Sequence, residues 1–143
     1  MSQIGDLSKR LGQASDLPST LAAAYDAFGG VRLAIRGREE PGSGMFAALV
    51  MSATSAIDGR DAITHAPSLP LSSLRREDVA QRTGGDELRI RDLARELAAL
   101  ADLLADRLAE AEQTAALAGD HDACAQAAAC AREIHGLLAG AVR

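Results

Sequence analysis

The sequence predicts an all-α fold: an antiparallel four-helix bundle with short accessory helices, built as a single domain over residues 1–143. Three observations lead there. The 143 residues suffice for one domain and are too few for two of ordinary size. Apolar residues make up 48% of the chain, yet only Tyr25, Phe28 and Phe46 are aromatic and 31 residues are alanine. Such a composition can bury a core but is poor in the aromatic and β-branched residues that strands draw on. The third observation is a sustained apolar stripe at helical spacing in the second half: Leu93, Leu97, Leu100, Leu104, Leu108, Ala111 and Ala115.

Taken in chain order, Ile4 to Leu11 is a short amphipathic helix stopped at Gly12. Ser15-Asp16-Leu17-Pro18 is a helix start, with Asp16 accepting from free backbone N–H groups and Pro18 tolerated in the first turn. Leu21, Tyr25 and Phe28 follow at spacings of four and three and face inward. Gly29-Gly30 is expected to interrupt this helix, which resumes over Val31 to Ile35. Arg38 to Gly44 is a loop by composition, and Ser43 is placed to cap the next helix. That helix opens with the apolar run Met45 to Met51, a pattern expected of a central helix buried on most sides. It ends near His65, because Pro67 disfavours helical backbone in the residue before it. Residues 66–72 form a linker, and a short helix is expected over 73–81, before Gly84-Gly85. The leucine stripe then predicts a helix from Asp86 to Ala118, about 50 Å long at 1.5 Å per residue. Gly119 is expected to end it and Asp120 to cap a last helix to about Ala141. So short a turn makes the last two helices an antiparallel hairpin.

The 20 acidic and 15 basic side chains leave a net charge of −5. Arginines are scattered among carboxylates, and the densest group, Arg32, Arg36 and Arg38, runs straight into Glu39 and Glu40. Nucleic acid is therefore disfavoured as a partner, since binding it calls for a basic face. The first ten residues lack the apolar core of a signal peptide, and the uncharged stretch from Pro41 to Ile57 is shorter than a membrane span. A cytosolic address without membrane contact is expected. The excess of 14 Arg over a single Lys, with the alanine bias, is what GC-rich codon usage produces and points to a high-GC bacterium.

Candidate chemistry is sparse. Cys124 and Cys130 lie six residues apart, on opposite sides of a helix, and cannot bond to each other there. His121 and Cys124 could share one metal ion, but His135 is some 20 Å further along the axis. Two ligands are too few, so no metal is expected. The segment from His121 to Cys130 is similar to the cysteine-dense helices of copper-storage bundles, which carry many more thiols. No Glu-x-x-His pair of the di-iron bundles occurs. Gly42-Ser43-Gly44-Met45-Phe46-Ala47 matches a dinucleotide fingerprint that works only between a strand and a helix. No cofactor is expected.

Arg60-Asp61-Ala62-Ile63-Thr64-His65 resembles the motif of the HEPN family, small all-helical domains of which many are dimeric, metal-independent RNases. The resemblance implies a catalytic pair of Arg60 and His65, with Asp61 at the family's variable polar position. His65 would activate a ribose 2′-hydroxyl and Arg60 would stabilise phosphate charge. From the residues alone, Asp61 and His65 form an i,i+4 pair near a helix end. The expectation for function is a non-catalytic module that binds itself, a partner protein or an apolar small molecule, with the RNase or toxin reading as its alternative. A homodimer is expected, because residues 45–57 and 86–118 both offer more apolar surface than a small bundle needs, the long helix projecting past its neighbours.

Overall fold

The computed structural model describes residues 3–38, 44–74 and 89–142. Among these, 84% are helical and no strand occurs. α1 (Gln3–Gln13) buries Ile4, Leu7 and Leu11. α2 (Leu17–Ile35) starts where the local chemistry places it: the Ser19 N–H donates to the Asp16 carboxylate at 2.8 Å, and Pro18 occupies the first turn. The Ser19 hydroxyl, and then its amide, hold the Asp16 carboxyl below its ordinary range. Leu21 and Phe28 are fully buried and Tyr25 is half-buried.

The expected interruption at Gly29-Gly30 does not occur; α2 runs straight through the pair. The reason is tertiary. A Cβ on Gly30 would stand 2.2 Å from Leu7 Cδ1, and one on Gly29 would stand 3.2 Å from the Arg60 guanidinium carbon. Both glycines are slots that let side chains from other helices rest on the α2 backbone.

α3 (Phe46–Thr64) begins one residue later than expected, with Met45 at its N-cap and no side-chain cap bond; Ser43, the expected cap, lies outside the described residues. It closes at His65, ahead of Pro67. α4 (Leu71–Leu74) is a single turn, and of the short helix expected over 73–81, residues 75–81 lie outside the described residues.

α5 (Ile90–Thr114) and α6 (Ala118–Ala141) replace the expected 86–118 helix and its successor. Residues 86–88 lie outside the described residues. At the other end α5 stops at Thr114, because Ala115 and Leu117 are extended and reverse the chain within three residues. The 25 residues of α5 span about 38 Å rather than 50. Gly119 and Asp120, expected as stop and cap, are already inside α6.

Three contacts fix the α5–α6 register. The Arg91 guanidinium donates to the Val142 carbonyl at 3.1 Å, His135 Nδ1 lies 3.0 Å from the Ala98 carbonyl, and His121 Nε2 lies 3.9 Å from Glu112 Oε2. Seven residues forward from Arg91 to Ala98 match seven back from Val142 to His135, and fourteen more bring Glu112 opposite His121. The pair is antiparallel along its whole length. Buried Ala123, Ala127, Ala128 and Ala131 are small enough to let α6 lie close to the helices it packs against.

α6 packs against both α5 and α3, α3 packs against α2, and α2 returns to α5, while α1 lies across α2 and α5. Every stripe residue from Leu93 to Ala111 is buried. The expectation that the stripe stays partly uncovered is thereby corrected: α5 is shorter than expected, and α6 accompanies it from end to end.

The linker between α3 and α4 is clamped to α6. Asp120 is only 1% exposed; its carboxylate accepts the Ser68 N–H at 2.9 Å and the Ser68 hydroxyl at 2.5 Å. Pro67 rests on Gly119, where a Cβ would come within 2.9 Å of its ring. Arg107, on α5, reaches the Ala14 carbonyl in the turn between α1 and α2. No described helix is long and apolar enough to cross a membrane.

Candidate functional site

Arg60, Asp61 and His65 all lie near the C-terminal end of α3, but Arg60 and His65 have different surroundings. Arg60 turns to α2. Its guanidinium carbon sits 4.1 Å from the centroid of the Tyr25 ring, over the bare backbone of Gly29. This is a cation–π stack on a half-buried ring, an arrangement that holds two helices together. His65 is exposed at the C-cap, with Nδ1 3.0 Å from the main-chain oxygen of Asp61. The same oxygen accepts the Thr64 hydroxyl at 2.5 Å. A carbonyl can only accept, so this contact selects the tautomer with its proton on Nδ1. The contact is therefore with the Asp61 main chain and is a different interaction from the i,i+4 side-chain pair expected between Asp61 and His65. It satisfies one of the carbonyls that a helix end leaves without an intrahelical partner.

The metal-ligand types of α6 are also dispersed. Cys124 is buried without exposure, and burial, followed by the charges of Asp120 and Glu112, pushes its thiol up to about 11. Burial, then Asp58 and Glu133, raises half-buried Cys130 as well. Both are free cysteines. His121 is exposed between Glu112 and Asp122, and His135 is engaged with Ala98. Among the described residues no group of three or more His, Cys, Asp or Glu is placed to hold a metal ion. The thiolate is the form that attacks alkylating reagents. Iodoacetamide at pH 8 is therefore expected to leave Cys124 unmodified in the folded protein and to modify it fully in denaturant, as read by mass spectrometry. Above pH 9 the unfolded thiol loses its proton while the folded one keeps it, so stability falls as the pH climbs from about 9 towards 11. Rapid alkylation of Cys124 in the folded state would contradict its burial.

Of the fingerprint-like segment, Gly42 and Ser43 lie outside the described residues, and no strand among the described residues could precede the helix.

What the structure does assemble is an open apolar face on α3. Phe46, Val50, Met51 and Ile57 are between 36% and 49% exposed. Ala47 and Thr54 are the other exposed positions of this stretch, and the Thr54 hydroxyl donates back to the Val50 carbonyl at 3.1 Å. From Phe46 to Ile57 the outward side of the helix thus carries no charge. The uncharged run in the sequence pointed to this helix as buried on most sides. α2 and α6 cover the opposite side of it, through Leu49, Ser52, Ala56, Gly59 and Ile63, and leave this one open. No family model, curated protein or solved structure matches the chain.

Proposed function

We propose that this chain is a non-catalytic helical module that works by associating with a second copy of itself. Its scaffold, in this reading, is an antiparallel four-helix bundle of α2, α3, α5 and α6, with α1 and α4 as accessory helices. The closed order of packing, α2 to α3 to α6 to α5 and back to α2, supports the bundle. The observation that carries the function is the uncharged outer face of α3. Contiguous apolar surface is normally covered by something, and closed homo-oligomers are the commonest arrangement among soluble assemblies.

Light scattering across micromolar concentrations tests the proposal. A species of twice 14.8 kDa is expected; a 14.8 kDa species throughout the range overturns it. The RNase reading of Arg60 and His65 has a separate test. The unmodified protein is expected to leave single-stranded RNA intact; cleavage that disappears in both Arg60→Ala and His65→Ala would replace the module with a catalyst.

A further inference from the structure

The open face of α3 has a charge order of its own. On an ideal helix Phe46, Ile57, Val50, Asp61 and Thr54 fall within an arc of about 80°, and all five are exposed. Along the axis they run Phe46, Val50, Thr54, Ile57, Asp61, in steps of four, four, three and four. Among the described residues nothing makes a side-chain cap bond to the N-terminal end, and its first turn holds no acidic residue. The positive end of the helix dipole, with amides that lack intrahelical acceptors, is concentrated there. The other end carries Asp61, with exposed Asp58 beside it.

A second copy turned about a twofold axis beside Thr54, midway between positions 53 and 54, matches this order to itself. Val50 meets Ile57 of the other copy on both sides of the axis, and each Asp61 arrives at the other helix's Phe46 end. A parallel copy would set aspartate against aspartate. A membrane surface is opposed by the same two aspartates, since helices that settle on lipid carry Lys and Arg beside their apolar face.

We infer that the chain dimerises by antiparallel pairing of two α3 helices, with Thr54 beside the twofold axis and each Asp61 at the N-terminus of the other copy's α3. The inference rests on the self-association reading and names its seam. Because the Thr54 hydroxyl donates its hydrogen back to the Val50 carbonyl, it brings no free donor to the seam.

A residue beside a twofold axis lies next to its own copy, and a disulfide needs Cα atoms within about 7 Å. In a Cys130→Ala background, which retains only buried Cys124, Thr54→Cys is oxidised with copper phenanthroline and resolved without reductant. A covalent dimer is expected, and none for Ala99→Cys, an exposed position on α5. In parallel, the double variant Val50→Asp, Ile57→Asp is expected to be monomeric by light scattering with an unchanged helical circular dichroism spectrum. If the unmodified chain dimerises but the double variant does too, and Thr54→Cys stays uncrosslinked, the α3 seam is overturned while self-association stands. A monomeric unmodified chain overturns both.

Discussion

Replacing Leu104 with Ala is expected to lower the free energy of unfolding by about 2–5 kcal/mol, the range for core leucine deletions. Leu104 has no exposure, and neither do Leu100 and Leu108, one turn to either side. α5 packs against α1, α2 and α6, and all three leucines are fully buried in the core, so the deletion leaves a cavity in packed surroundings. Domains are stable by only about 5–15 kcal/mol, so one such change removes a large share of the total. Urea titration of the unmodified protein, Leu104→Ala and Leu100→Ala measures it. Losses below about 0.5 kcal/mol at both positions would put the stripe in water and the helix order in error.

That stripe was legible in the sequence because periodicity is a property of one helix. The start of α2 was legible for the same reason: Asp16 and Ser19 are three residues apart, and a cap is local chemistry. Asp120 shows where local rules stop. An aspartate after a glycine at a helix boundary has the form of a cap, yet its carboxylate is taken by Ser68, 52 residues earlier. Gly29-Gly30 has the form of a break, and what decides otherwise is Leu7 and Arg60 seated on the two glycines. The extended backbone at Ala115 and Leu117, which shortens α5, follows from the need to bring α6 back along α5, and no residue type among alanines and a leucine announces it.

The candidate surfaces divide in the same way. Spacing could pair Arg60 with His65, but only the fold shows Arg60 lying on Tyr25 and His65 closing its own helix. The apolar run from Met45 to Met51 gives α3 the pattern of a helix apolar all round. Which arc stays open depends on the placement of α2 and α6 against it. Once that arc is known, the sequence speaks again, because the order of apolar and acidic residues along it is what the proposed pairing with a second copy rests on.

The α2–α3 contact that leaves this face open should be among the least tolerant places in the molecule. Gly59 on α3 is buried under the Phe28 ring: a Cβ added there would lie 2.5 Å from both Cε1 and Cζ, and Phe28 itself is fully buried. Gly59→Val is expected to destabilise the protein by about 1–3 kcal/mol, the cost of forcing extra methyl groups into a packed core. A better helix former would by itself gain up to about 1 kcal/mol over glycine, and valine gains less than alanine, so the steric term decides the sign. Gly136 on α6 separates the two effects, because nothing lies within 4 Å of the Cβ it would acquire. Gly136→Ala is expected to stabilise by about 0.5–1 kcal/mol through helix propensity alone. Thermal and urea melts of both variants give the comparison. If Gly59→Val is as stable as the unmodified protein, the Phe28 ring has room to move aside. The α2–α3 contact would then be looser than the full burial of Phe28 implies.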